Sequence, residues 1–296
     1  MYVKSEFKGG TDSKDAFDFN LYYTIDENNK SVVGLKKSEV NFKNTPWLIN
    51  RNQNKQNKIV FDRAFEEITI DNINMSFTSE DILLNGVILG SQNKDVNLDF
   101  TNVDLAKITP RIKDLKLGGN LNGRFNMTQL ESVYFPKSSL IIDDLSVNEF
   151  NLGSFKADIQ GNQSLTNYGV NVSLKEGDLE SLKVVGSLDV SGENSKLNLD
   201  INFDEFILKP LNPFGGGVIT NIRGDVSGVA NVTGRLENPQ IEGFLSLNNG
   251  GLAIPYLNVD YAFQNNTAVN LQKQSFIFNK ALMVDVDYES QASLSG

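Results

Sequence analysis

The chain has 296 residues, 40% of them apolar, and a formal net charge of −10 with no cysteine and no histidine. That composition excludes disulfides, zinc sites built on Cys or His, catalytic thiols and every imidazole-based acid–base scheme. The acidic balance argues against nucleic acid, which is held by Lys and Arg neutralising phosphates, and against a simple electrostatic grip on anionic lipid headgroups.

The first residues, Met1-Tyr2-Val3-Lys4-Ser5-Glu6, lack the apolar run of a signal peptide. No stretch approaches the roughly 18 unbroken apolar residues of a spanning helix. The expectation is a cytosolic protein or an internal piece of a longer exported one. Trp47, beside Pro46, reads as a packing anchor at a strand end, and Asn50-Arg51-Asn52-Gln53-Asn54-Lys55-Gln56-Asn57 as a loop. Period-two alternation begins in Ile68-Thr69-Ile70-Asp71 and returns in Val96-Asn97-Leu98-Asp99-Phe100. Such segments form strands with one apolar and one wet face.

Leu105, Ile108, Ile112 and Leu115 fall at helical spacing, but Pro110 limits any helix there to a turn or two. Alternation resumes in Val170-Asn171-Val172-Ser173-Leu174 and is strongest in Leu197-Asn198-Leu199-Asp200-Ile201-Asn202-Phe203-Asp204. Pro210-Leu211-Asn212-Pro213-Phe214-Gly215-Gly216-Gly217 reads as a loop; its glycines lack the Lys-Ser/Thr and helix start of a phosphate cradle. Val284-Asp285-Val286-Asp287-Tyr288 reads as a last strand with solvated carboxylates. Neither that pair nor Asp143-Asp144 has the spacing of a calcium loop, so no metal site is expected. With 37 acids in the chain, nothing singles out a catalytic pair, and a carbohydrate-active enzyme is disfavoured.

Gly119-Asn120-Leu121-Asn122-Gly123-Arg124-Phe125-Asn126-Met127-Thr128 aligns without gaps with Gly224-Asp225-Val226-Ser227-Gly228-Val229-Ala230-Asn231-Val232-Thr233, 105 residues later. Upstream, Phe100, Leu105 and Pro110 pair with Phe203, Leu208 and Pro210 at a similar offset. A period this long is a module of several strands rather than one solenoid coil. The division expected is an upstream strand segment over 1–95, a first module over 96–200 and a second over 201–296. Gly119, Gly123, Gly224 and Gly228 are expected to mark bends or bulges of the sheet.

The segment Gly224-x-x-Ser227-Gly228, then Val232-Thr233-Gly234-x-Leu236-x-Asn238-Pro239-x-Ile241-x-Gly243-x-Leu245-x-Leu247, resembles the TamB family of translocation and assembly module proteins. Ile254-Pro255-Tyr256-Leu257-Asn258-Val259-Asp260-Tyr261, Phe276-x-Phe278 and Ala292-x-Leu294-x-Gly296 continue the likeness, which is greatest over residues 200–296 and to the form found in Bacteroidetes-like bacteria. It extends more loosely back to Lys37, through Val40-Asn41-Phe42, Trp47 and Ile59-Val60-Phe61. The first repeat departs from the pattern, with Leu130-Glu131-Ser132-Val133 where the second has Leu236-Glu237-Asn238-Pro239.

The resemblance implies a piece of a periplasmic protein of the AsmA-like, bridge-type lipid-transfer kind, anchored in the inner membrane by an N-terminal helix that this piece lacks. It implies TamA-type outer-membrane barrels as partners, with roles in phospholipid transport between membranes and in outer-membrane protein assembly. The expected fold is all-β: an elongated, curled antiparallel or mixed β-sheet enclosing a groove, built from repeated strand modules with few or no helices. Candidate groove residues are Leu197, Leu199, Ile201, Phe203, Val96, Leu98, Phe100, Val170, Val172 and Leu174. They would contact phospholipid acyl chains, with no catalytic residue and no cofactor. The competing expectation is a structural or adhesive β-solenoid whose same residues fill a closed core.

Overall fold

A computed structural model describes residues 1–9, 15–131 and 133–296; Ser132, in the segment where the first repeat departs from the second, lies outside the described residues. The fold is all-β. Every described strand pairing is antiparallel, and among the described residues the one parallel contact is an isolated bridge between Gly216 and Ile219. The chain divides into two compact units: residues 1–110, 119–142 and 160–165 form the first, and 111–118, 143–159 and 166–296 the second.

The first unit contains β1 (Tyr2–Gly9), β2 (Asp15–Ile25), β3 (Ser31–Leu35), β4 (Ser38–Phe42), β5 (Thr45–Ile49) and β6 (Lys58–Phe61). It continues with β7 (Glu67–Phe77), β8 (Glu80–Leu89), β9 (Asn93–Asp104), a single helical turn α1 (Leu105–Ile108) and most of β10 (Leu117–Leu130). The topology is a meander in which two lanes are broken. Strands β3 and β4 pair with successive stretches of β2, so they form one lane interrupted at Lys36 and Lys37. Strands β5 and β6 pair with β4 and β3 on one side and with β7 on the other, so they form the next lane. The asparagine-rich excursion between them is stitched back by amides. Asn50 Nδ2 donates to the Leu35 carbonyl at 2.7 Å, and Asn57 Oδ1 accepts the Asn74 amide at 2.7 Å. These two side chains are buried, and their amides satisfy backbone groups of neighbouring lanes where the ladder is broken.

Helix α1 is one turn, with the Asp104 side chain capping the Ala106 amide and Thr109 ending it ahead of Pro110. Trp47 is 1% exposed and lies in the middle of β5 rather than at its end, tilted against Phe77 at 6.0 Å.

The second unit contains β13 (Asn167–Glu176), β14 (Leu179–Asp189), β15 (Lys196–Ile207), β16 (Thr220–Arg235) and β17 (Asn238–Ile254). Strands β11 (Val133–Val147) and β12 (Phe150–Gly161) precede them, each with residues of both units. After β17 come β18 (Val259–Phe263), β19 (Thr267–Lys273), β20 (Ser275–Phe278), β21 (Ala281–Asp285) and β22 (Gln291–Leu294). Broken lanes recur here: β18 and β19 pair with successive parts of β17, and β21 and β20 with β18 and β19. Residues 209–215, read from sequence as loop, form a 3-10 helix whose prolines fix φ and whose end at Gly216 is left-handed.

The last alternating segment is a correction. β21 ends at Asp285, and its polarity is inverted: Asp285 is 1% exposed while Val284 and Val286 face solvent. The carboxylate is held inside because it accepts the amides of Asp260, Asp287 and Tyr288, tying a turn that a solvated Asp would leave open.

The repeated motif occupies equivalent places in β10 and β16. Phe100 is paired with Gly123, and Phe203 with Gly228. A register shift accompanies each pairing, and the extra residue has positive φ, 52° at Asn102 and 50° at Glu205. Asn122 Oδ1 accepts the Asn102 amide at 2.8 Å, and Ser227 Oγ accepts the Glu205 amide at 2.9 Å. Three residues beyond each second glycine, the Asn126 and Asn231 side chains donate across the wet face to Asp95 and Asp200. The duplication is therefore one of bulge geometry as well as of letters.

Candidate functional site

Antiparallel register converts the alternating sequence into rungs of side chains on one face. In the second unit one rung runs Val172, Val184, Ile201, Ala230, Gly243 and Leu271 across six strands. The next runs Leu174, Leu182, Phe203, Gly228, Leu245 and Val269, and a third Val170, Gly186, Leu199, Val232 and Ile241. Leu197 continues the face opposite Leu188. All seven candidates from β13 and β15 therefore share one surface.

Burial grades along that surface. Leu197, Leu199, Ile201, Phe203, Val170 and Val172 are half-buried, whereas Leu174 is buried. Toward β17 and beyond, Ala230, Leu245, Val269 and Leu271 join Val226, Phe263 and Met283 in a packed core, on which Ile201 and Phe203 lean. Phe263 stacks on Phe278 there at 6.0 Å.

Glycines shape the face. Gly228 has φ of 143°, and a β-carbon there would stand 2.2 Å from the Phe244 carbonyl oxygen. Gly123, its counterpart, has φ of 133° and would meet the Ser139 carbonyl at 2.2 Å. At both, the neighbouring backbone crowds the space of a side chain, a close approach only glycine permits. Gly119 and Gly224, also of positive φ, open the same motif.

In the first unit, Val96, Leu98 and Phe100 also share a face. The rungs are Ile59, Ile70, Gly86, Val96 and Met127; Ile73, Leu84, Leu98 and Phe125; and Met75, Ile82, Phe100 and Gly123. None of these side chains is buried, and Phe125 and Met127 are 39% and 44% exposed. Phe100 and Phe125 meet edge to face at 6.0 Å. One end of this face is closed: Val103, Leu105, Leu121 and Glu80 are buried around α1, where Lys107 contacts Glu80 and lies over the Phe77 ring. At the other end the next rung is Phe61, Ile68, Ile88, Lys94 and Gln129, so it carries a cation. Sequence reasoning missed Lys94, a charged residue at the alternating position before Val96, which register sets opposite Ile88 and Gln129.

The outward side of the second unit holds a shallow depression of about 460 Å³, bordered by Val185, Asp200, Asn202, Val229, Asn231 and Glu242. Val185 and Val229 stand exposed on a face that alternation marks as polar. Among the described residues no group of three or more acids is placed to hold a metal. No helix of the described residues is long and apolar enough to cross a membrane.

No protein-family model, no curated protein and no solved structure matches the chain.

Proposed function

We propose that this chain carries phospholipid acyl chains along its apolar sheet faces, as a TamB-like part of an envelope protein. The observation that supports the reading is that apolar rungs continue across β13, β14 and β15 with most of their side chains only half-buried. Of the ten side chains selected from sequence, nine are half-buried, where a filled core would bury them. Burying an acyl methylene is worth about 0.8 kcal/mol, so an apolar strip holds a chain without a specific pocket. Because those contacts are non-directional, the chain slides as readily as it binds. The wet side, with Asn198, Asp200 and Asn202 exposed, keeps the sheet hydrated.

On this reading the chain works non-catalytically and without a cofactor, in the periplasm, as part of a protein anchored in the inner membrane and partnered by a TamA-type barrel. Its output is phospholipid supply to the outer membrane and support of protein assembly there. The competing closed-core reading draws on the packed cluster around Leu245 and Leu271.

Mass spectrometry of lipid extracted from the purified chain, together with a vesicle-to-vesicle transfer assay, separates the two. The expected result is copurifying phospholipid, and transfer abolished by Leu199→Arg with the β-sheet circular dichroism retained. Normal transfer by that variant, or a lipid-free protein that stays lipid-free in the presence of vesicles, would sink the proposal.

A further inference from the structure

We propose that Lys94, with Gln129, is the headgroup anchor of the first unit's apolar face, and that it takes the phosphate of a phospholipid whose acyl chain lies along Val96, Leu98 and Phe100. The inference rests on the acyl-chain reading above and adds to it an orientation and a charge preference.

Lys94 occupies the same face as the three apolar side chains that follow it at every second position of β9. Its ammonium donates to Gln129 Oε1 at 2.7 Å and to the Ser91 carbonyl at 3.3 Å, both neutral oxygens. The Tyr134 ring lies 5.9 Å from it. Its charge therefore stands without a counter-ion among the described residues, on a chain whose net charge is −10. An ammonium held by neutral acceptors beside apolar surface is half desolvated already, and an anion gains more there than at a fully hydrated lysine. Gln129 is only 3% exposed, so its amide fixes where the ammonium sits.

Geometry gives the direction. The far end of the face is closed around α1, so a chain that enters must leave its polar end at the Lys94 side. From Lys94 to Phe100 the strand rises about 20 Å. Half of the roughly 30 Å hydrocarbon core of a bilayer is somewhat shorter, so one acyl chain fits between the anchor and the closed end. The acidic exterior disfavours adsorption of the whole sheet onto an anionic membrane, which leaves capture of single lipids.

The test uses a short-chain phosphatidylglycerol held below its critical micelle concentration, the diacylglycerol with the same chains, and inorganic phosphate. Wild-type protein is expected to bind the phosphatidylglycerol about tenfold more tightly than the diacylglycerol. Lys94→Met keeps the apolar stem and should erase that difference without changing diacylglycerol binding, and Lys94→Arg should restore it. Inorganic phosphate should not compete at comparable concentration. Equal preference in Lys94→Met and wild type, or competition by phosphate alone, would overturn the anchor. Failure of wild-type protein to bind even the diacylglycerol would instead overturn the acyl-chain reading beneath it.

Discussion

The Ser227 hydroxyl oxygen accepts the Glu205 amide at 2.9 Å, and 105 residues earlier in the motif Asn122 does the same for Asn102. The position tolerates Asn or Ser because either supplies one side-chain oxygen at the height of the bulged amide. Ser227→Ala and Asn122→Ala should each lower stability by about 1 kcal/mol in urea unfolding, while Asn122→Ser should lose much less. Equal losses for Asn122→Ala and Asn122→Ser would show that the oxygen is not what matters.

Gly228→Ala combines positive φ with a β-carbon that would stand 2.2 Å from backbone. The expected cost is about 2 kcal/mol or more, seen as a lower urea midpoint. Gly192→Ala is the control, since nothing lies within 4 Å of its added carbon. It should be neutral or stabilising by up to about 1 kcal/mol.

Leu271 and Leu199 lie on one face but differ in burial, Leu271 being 8% exposed and Leu199 half-exposed. Leu271→Ala should cost about 2–4 kcal/mol through the cavity it leaves. Leu199→Ala should cost less than half as much, yet weaken lipid binding more. Matching stability losses would indicate that the face around Leu199 is packed like a core.

Lys116 and Glu149 pair across 2.8 Å in full solvent. The hydrogen bond and charge of Lys116 hold the Glu149 carboxyl below its ordinary value, and Glu149 in turn raises Lys116. The carboxyl's contribution is present above its unfolded pKa and lost as pH falls through the lowered folded value. The ammonium's contribution is present below its unfolded pKa and lost as pH rises through the raised one. Titration of Glu149 followed by NMR should therefore show a depressed midpoint that returns to the ordinary carboxylate range in Lys116→Gln. An unchanged midpoint would show that the pair does not persist in solution.

Much of the fold is legible in the sequence because alternation is a direct imprint of the pleat. Leu197, Leu199, Ile201 and Phe203 fall on one face with Asn198, Asp200 and Asn202 on the other, and period two alone requires it. The duplicated glycines mark the place where register shifts, since few other residues adopt that backbone. Other features escape for identifiable reasons. Asp285 alternates with valines, yet three backbone amides draw it inward, and such a turn has no periodicity. The broken lanes at β3/β4 and β5/β6 depend on Asn50 and Asn57 amides meeting backbone distant in sequence. Lys94 shares the face of Val96 by alternation, but its charge hides it from a search for apolar residues, and its neighbours Ile88 and Gln129 are set by pairing.

The meander also bears on how the chain reaches its structure. Each described strand is bonded to lanes adjacent in sequence; β13 to β14 and β16 to β17 close through short turns, whereas the broken lanes join β3 to β6, β5 to β7 and β18 to β21 across intervening strands. Loop-closure entropy is small where the turn is short and larger at the broken lanes, and folding that adds lanes to an existing edge meets its costliest closures there. A polypeptide emerging end first, from a ribosome or through a translocation pore, completes each lane before the next is made, and every rung lengthens by one side chain as a lane is added. Its growing edge is the aggregation hazard during that time, and its exposed apolar face the second.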